Sequence, residues 1–260
     1  MDASETAVGV TRSATTTGAT RAALVTGASR GIGAAIAERL VDEGWDLTVS
    51  ARGQDPLDRM AARLTGARRV EAVAADMSIE GDVRRLAAAH IASHGRLDAL
   101  VLNAGMGSRG ALADFPLRRF DLLYSINVRS AFVLLQETLP TLRATAALSD
   151  SGAKVIAVSS LLGVVSEPFS SAYGATKAAL TSLCESLNTE ESAGGVTASA
   201  VSPGYVATDM TAGLGEVLDP RDMLLTSDVA EMVVALTRLS RSVVVPNVVL
   251  TRPGPCLWRA

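Results

Sequence analysis

Aromatic residues make up only 3% of this 260-residue chain, so core volume has to come from Ala, Val and Leu. That composition suits helices packed closely on a parallel sheet better than an aromatic-rich β-sandwich. Cysteine is as scarce: Cys184 and Cys256 are too few and too far apart for a disulfide framework or a CxxC metal knuckle, which points to a reducing, cytoplasmic setting. No run approaches the roughly 18 uninterrupted apolar residues of a membrane-spanning helix. The longest candidate, Val155 to Val165, is broken by Ser159, Ser160 and Gly163. Charge of one sign is lacking too, since 24 Lys and Arg against 27 Asp and Glu leave a net charge of −3. Binding to nucleic acid or an anionic membrane normally needs a clustered basic surface, and none is visible.

What the chain does have is apolar material for a sizeable core, 48% of its residues, with 20% charged. These are the proportions of a folded protein, and the length fits one large α/β domain. Residues 1–20, rich in Ser, Thr, Ala and Gly, lack the basic start and apolar stretch of a signal peptide and read as a disordered tail. Beyond them, short apolar runs alternate with segments of helical periodicity, the rhythm of a parallel sheet covered on both faces. Strands are predicted at Ala22–Thr26, Leu47–Ala51, Val70–Ala74, Ala99–Leu102, Lys154–Ser159, Thr197–Val201 and Val243–Leu250. Helices are predicted at Ile32–Glu43, Pro56–Leu64, Glu80–Ser93, Leu117–Thr145, Ser171–Ser192 and Ser227–Leu239. The expected architecture is one doubly wound domain over 21–251, a parallel seven-stranded sheet flanked by helices, followed by a tail at 252–260. Pro246, which has no N–H, predicts a bulge or an edge near the last strand. The stretch from Pro203 to Thr226, with weak periodicity, predicts a lid or substrate loop.

The first strand runs directly into Thr26-Gly27-Ala28-Ser29-Arg30-Gly31-Ile32-Gly33 and then a helix. Glycines let the backbone approach an anion, and the unpaired N–H groups at a helix start attract it, so the turn predicts a pyrophosphate cradle for a dinucleotide. An acidic residue at the end of the second strand would bond the ribose 2′-hydroxyl of NAD. Here Ser50-Ala51-Arg52-Gly53 supplies no carboxylate, and Arg52 can clamp a 2′-phosphate, with Arg30 as a second cation. NADP is expected over NAD.

Tyr173 and Lys177 stand four apart on a predicted helix and so share a face. A free tyrosine titrates near pH 10, and a cation beside it lowers that value, making the phenol a usable general acid or base. Ser159-Ser160 closes the fifth strand, at the sheet end where open α/β folds bind ligands. Asn103 follows the fourth strand, and Asn127 sits inside the next helical stretch, where an amide needs either a solvent face or a purpose.

In this order, the motifs resemble the short-chain dehydrogenase/reductase family over about residues 21–250, nearly everything outside the tails. Gly27, Ser29, Arg30, Gly31, Ile32 and Gly33 match its cofactor turn, and Asp76 with Met77 its adenine-side position. Leu102-Asn103-Ala104-Gly105 matches its NNAG motif with the first amide lost, and Pro203-Gly204 through Val206 to Thr208 its P-G-x-x-x-T segment. The resemblance implies a Rossmann-type fold and an NADP(H)-dependent oxidoreductase moving hydride between nicotinamide C4 and a carbonyl or alcohol carbon of a small, fairly apolar substrate. It implies that Tyr173 exchanges the hydroxyl proton, Ser160 holds the substrate oxygen, Lys177 bonds the nicotinamide ribose and lowers the Tyr173 pKa, and Asn127 keeps a relay water. It also implies a homo-oligomer, dimer or tetramer. A protein that binds the dinucleotide without turnover, as a sensor or scaffold, is the alternative, and retention of Tyr173 and Lys177 argues against it.

Walls of a substrate pocket are expected after Ser160, from Gly105 to Ala113 and in Tyr205–Thr226, with Leu161, Leu162, Val164, Met210, Leu214 and Met223 suggesting an apolar cavity. His90 and His94 lie four apart, but no third ligand accompanies them, so they read as solvated helix residues. Glu190-Glu191, Arg68-Arg69 and Arg118-Arg119 read as solvated surface, Trp45 as a plug in a helix-to-strand turn, and Cys184 as a helix-face filler.

Overall fold

A computed structural model describes residues 20–67, 69–212 and 219–254. Seven parallel strands form one sheet in the order β3-β2-β1-β4-β5-β6-β7: Ala22–Thr26, Asp46–Ala51, Val70–Ala74, Ala99–Leu102, Ala153–Val158, Val196–Pro203 and Asn247–Leu250 for β1 to β7. The order reverses between β1 and β4, so the loops leaving those strands diverge and open a crevice at their carboxyl ends. Side chains alternate in two directions along each strand. Ala23 and Val25 face one cluster with Ile36, Leu40, Leu57 and Val233. Leu24 faces the other with Leu86, Leu134, Leu180 and Leu187. The helices behind these clusters are α1 (Gly31–Asp42), α2 (Gln54–Ala61) and α7 (Thr226–Thr237) on one side, and α3 (Glu80–His94), α5 (Ser130–Ala147) and α6 (Ser171–Glu191) on the other.

Two predicted elements differ. The single helix expected over Leu117–Thr145 is α4 (Leu117–Tyr124), a wide π turn at Ser125–Arg129, and α5. The Ser130 N–H reaches back five residues to the Ser125 carbonyl. Such turns insert one extra residue and cluster at functional positions, and Asn127 lies inside this one. The last strand begins at Asn247, not Val243. Pro246 cannot donate to a ladder, although its carbonyl accepts from the Ala200 N–H at 2.9 Å, and β7 is an edge strand.

Two residues read as solvated, Glu191 and His90, are buried, whereas Arg118 and Arg119 are exposed as expected. Arg143 Nε holds the carboxylate of Glu191 at 2.8 Å, and the exposed Arg119 donates through Nε to Ser108 Oγ at 2.7 Å. His90 is fully buried, 2.8 Å from Thr48 Oγ1 through Nδ1 and 3.0 Å from the Arg96 carbonyl through Nε2. A carbonyl only accepts, so Nε2 carries a proton; burial lowers the ring pKa and keeps it neutral at pH 7, so Nδ1 accepts from Thr48. The pairing rule used to read these residues sees sequence neighbours, not partners brought in from another element. Trp45 is buried beneath the Arg21 guanidinium, 4.2 Å from the ring centroid. Cys184 is buried, which pushes its thiol up to about 12, whereas Cys256, Leu214, Arg68 and the tails at 1–19 and 255–260 lie outside the described residues. Among the described residues no helix is long and apolar enough to cross a membrane, and no group of three or more His, Cys, Asp or Glu is placed to hold a metal ion.

Burial pulls the His90 pKa from 6.5 down to about 4. Above pH 6.5 neither state carries this proton and the full stability is present. As pH falls from there towards 4, the unfolded chain takes up a proton that the folded chain refuses, and about 3 kcal/mol is lost across the window. Denaturant titrations between pH 7 and pH 5 are expected to show a shallower loss for His90→Gln than for the parent; equal slopes would assign the acid sensitivity elsewhere.

Candidate active site

The glycine turn is built by two backbone positions that need glycine and one that needs the missing side chain. Gly27 (φ 66°) and Gly31 (φ 58°) occupy the left-handed region, which lets β1 turn sharply into α1. A Cβ on Gly33 would stand 2.3 Å from the Gly27 carbonyl oxygen and 2.5 Å from Asn103 Nδ2, so this helix start closes on the turn with no room for a methyl group. Asn103 Nδ2 donates to the carbonyls of Thr26 (2.9 Å) and Gly27 (3.1 Å). Thr26 Oγ1 accepts from the Asn103 and Ala104 N–H groups, each at 3.0 Å, and donates to the Val101 carbonyl. The exits of β1 and β4 are thereby stitched together on either side of the crevice. The first turn of α1 has no acidic residue and no side-chain cap, which leaves its N–H groups for an anion.

Thr208, at the far end of the Pro203-Gly204 segment, reaches this turn: its Cγ2 would touch a Cβ on Gly31 at 3.5 Å. Pro203 ends β6, the Gly204 N–H bonds the Leu250 carbonyl at 2.8 Å, and Val206 bridges to Leu224. The expected lid is therefore pinned at both ends. Met223 and Leu161 are core residues instead of pocket walls, while Met210 and Val164 are exposed.

On the adenosine side, Arg52 is exposed at the end of β2 and has no ion pair among the described residues. Arg30, read as a second cation for the same phosphate, is exposed and meets Asp209 at 2.8 Å. Asp76 Oδ1 accepts from the N–H (2.8 Å) and hydroxyl (2.7 Å) of Ser78, and the Asp76 N–H bonds Asp82 Oδ2 at 2.9 Å. That fixes the turn into α3, with Met77 buried beneath it.

Ser160, Tyr173, Lys177 and Asn127 converge at the carboxyl ends of β4 and β5. Ser160 stands beside the Tyr173 phenol, whose pKa it pulls down, and its Oγ accepts from the Leu162 N–H at 3.1 Å. Lys177 is buried, donates to the Val158 carbonyl at 2.8 Å, and holds Nζ 5.8 Å from the Tyr173 ring centroid. The position of a Cβ on Gly105 lies 3.4 Å from Lys177 Nζ and 3.5 Å from Asn127 Oδ1, so both side chains border the β4 exit at this glycine. Asn127 accepts from the Met106 N–H at 2.8 Å and donates to the Met106 carbonyl at 3.0 Å and to Thr176 Oγ1 at 2.9 Å. Thr176 in turn donates to the Tyr173 carbonyl at 2.7 Å. Two supports were not singled out in the sequence, Thr26 and Thr176. Both are buried hydroxyls beside a motif residue, Gly27 and Lys177.

The electrostatics correct one expectation. Burial pushes the Tyr173 phenol up to about 12, against the opposing pull of Ser160. It also pulls the Lys177 ammonium down to about 8. A depressed phenol was expected from the Lys177 charge, but desolvation dominates both groups, and the ammonium is engaged by a backbone carbonyl. At neutral pH the phenol keeps its proton and can give it away.

The architecture is thus a doubly wound, Rossmann-like α/β domain with its polar side chains gathered at the switch point. A family model described as short chain dehydrogenase matches residues 21–218. A rhamnolipids biosynthesis 3-oxoacyl-[acyl-carrier-protein] reductase of Pseudomonas aeruginosa is 37% identical over 182 residues, 70% of this chain and 71% of that protein. An uncharacterized oxidoreductase of Staphylococcus epidermidis is 34% identical over 226 residues, 86% of this chain and 93% of that protein. Among solved structures, the P. aeruginosa RhlG/NADP active-site complex superposes with a TM-score of 0.81 at 30% identity, covering 89% of this chain and 94% of that one. An alcohol dehydrogenase from the archaeon Thermococcus sibiricus, complexed with 5-hydroxy-NADP, gives 0.80 at 27% identity, covering 90% and 99%. The chain belongs to the short-chain dehydrogenase/reductase family, a family of oxidoreductases.

Proposed function

We propose that this protein is an NADPH-dependent reductase of small carbonyl compounds. The observation that carries the reading is the convergence of Ser160, Tyr173, Lys177 and Asn127 beside the Gly27–Gly33–Asn103 cradle. The cradle fits a dinucleotide, because its close backbone approach and uncapped helix start suit a pyrophosphate. Gly27, Ser29, Arg30, Gly31, Ile32 and Gly33 would hold that group, Asp76 and Met77 the adenine side, and Asn103, Ala104, Gly105, Pro203, Gly204, Val206 and Thr208 the nicotinamide half. When bound, the dinucleotide supplies the hydride. Ser160 donates a hydrogen bond to the substrate oxygen. Tyr173 gives that oxygen its proton as negative charge builds there, so the two donors stabilise the transition state more than the ground state. Lys177 would hold the ribose and, as an ammonium, stabilise the phenolate left on Tyr173. Asn127, fixed by Met106 and Thr176, serves the relay that returns a proton. The phenol, its pKa raised by burial, holds its proton at neutral pH, which is the form from which the reductive step starts. NADP complexes among the structural neighbours support the cofactor assignment.

Pure protein with NADPH and a panel of ketones and aldehydes should show loss of the reduced-nicotinamide absorbance. A flat trace despite NADPH binding would instead favour a scaffold. Arg52 is the proposed clamp for the 2′-phosphate. An arginine fork on a phosphate is worth about 1.5–3 kcal/mol, so Arg52→Asp is expected to weaken NADPH binding by about 10–100-fold while NADH binding holds or improves. Fluorescence titration with both nucleotides checks this, and parallel losses for the two would remove Arg52 from the assignment.

A further inference from the structure

Three loops rise beside the Ser160–Tyr173 pair, from the carboxyl ends of β4, β5 and β6, and one side chain ties all three together. Tyr205 follows Gly204, which packs near Leu161, and precedes the buried Val206, so its side chain points the other way, towards the two neighbouring loops. There its hydroxyl accepts from Arg109 Nη1 at 3.0 Å and donates to Glu167 Oε2 at 3.5 Å. The same loops also meet where the Gly110 N–H bonds the Phe169 carbonyl at 2.8 Å and where Met210 Sδ lies 3.3 Å from the position of a Cβ on Gly107. Val164, Phe169 and Met210 on these loops are exposed.

Many arginines of this chain are held by carboxylates, and Arg109 makes no such ion pair among the described residues. Arg39, Arg84, Arg96, Arg143 and Arg238 each end on a carboxylate. Arg109 ends on a neutral phenol, and Glu167 stands one hydroxyl further away. One N–H of the guanidinium holds the tether, while the rest of its fork has no partner among the described residues. A cation that is positioned but not neutralised, on a rim of exposed apolar side chains, suits a ligand with an apolar body and an anionic end.

Resting on the reductase reading above, we propose that Arg109 anchors an anionic group, carboxylate or phosphate, carried by the carbonyl substrate, with Tyr205 holding the guanidinium in place. The substrate class is then an oxo acid or a phosphorylated ketone, reduced at a carbonyl several bonds from its charge. Arg109 and Tyr205 determine specificity and take no part in the proton transfer.

Calorimetry on the full chain saturated with NADP+ tests this without turnover. The ligands are 4-oxopentanoate, 5-oxohexanoate and 6-oxoheptanoate, their methyl esters, and hydroxyacetone phosphate. At least one anion should bind about tenfold more tightly than its uncharged counterpart, the matching ester or hydroxyacetone. Arg109→Gln should abolish that preference, and Tyr205→Phe should reduce it; NADPH titration reports that each variant is folded. The carboxylate and phosphate arms tell the two anion sources apart. Esters binding as well as acids, no binding by any anion, or a preference that survives Arg109→Gln would each overturn the inference. Reduction of uncharged ketones with no anion preference would leave the reductase reading standing and remove Arg109. Anion binding that depends on Arg109 with no reduction of any carbonyl would do the reverse.

Discussion

Tyr173→Phe should lower the rate of carbonyl reduction by about a thousandfold, within the range that general acid catalysis contributes, while NADPH binds as before. The substitution removes one oxygen and leaves the ring in its place between Ser160 and Lys177. What is lost is a donor that keeps its proton until charge develops on the substrate oxygen. The pH dependence separates the two members of the pair. The phenol, held near 12, stays protonated across the working range, whereas the Lys177 ammonium, at about 8, begins to lose its proton just above neutrality. Reduction in the parent is therefore expected to slow as pH rises through about 8, as the charge that stabilises the departing phenolate is lost. Single-turnover measurements with saturating NADPH read this directly. A Tyr173→Phe protein that reduces its best substrate at the parent rate would sink the proposed chemistry, and an alkaline limb near pH 10 instead of 8 would reassign it.

The strands were legible because each is a short apolar run bounded by turn residues, and a parallel sheet covered on both faces leaves few other ways to bury such runs. Val70–Ala74 and Ala99–Leu102 have the same bounds in sequence and structure. The break in the helix at Ser125–Arg129 was not legible, since the residues there keep helical periodicity and the extra residue of a π turn changes only the phase. The partner of Asn127 explains why the phase matters: the amide has to meet both Met106, from the β4 exit, and Thr176, from α6. No local rule joins three segments that far apart. His90 was misread for the same reason, because its partners Thr48 and Arg96 come from β2 and the start of β4's approach, not from its own helix face.

Charge was the least legible property. Spacing alone placed a phenol and an ammonium on one helix face, and a through-space attraction between them predicts a lowered phenol pKa. The fold buries both groups, and desolvation then acts on each in the direction that disfavours its charge. Burial depends on what covers the helix, here the β5 exit and the turn at Leu161–Gly163, where a Cβ on Gly163 would sit 2.9 Å from Ser159 Oγ. The same close packing that positions the pair therefore sets which way the proton is poised.

Gly33→Ala is the second change with a large expected effect, and it acts through the cradle. The added methyl group would begin 2.3 Å from the Gly27 carbonyl oxygen and 2.5 Å from Asn103 Nδ2, distances that backbone and a doubly bonded amide cannot absorb in place. Either α1 slides away from β1 or the Gly27 peptide turns, and both break the Asn103 bonds that hold the two lips of the crevice together. Overpacking of this kind costs about 1–3 kcal/mol, which for a domain of this size lowers Tm by about 3–10 °C. NADPH binding should suffer more than stability, by about 100-fold or beyond, because the displaced groups are those that approach the anion. Gly81→Ala is the matched control: nothing lies within 4 Å of a Cβ there, and the position is in the first turn of α3, so stability should hold or rise slightly. Differential scanning calorimetry and nucleotide titration on both proteins decide the matter. If Gly33→Ala binds NADPH as the parent does, the turn at Gly27–Gly33 is not where the pyrophosphate rests.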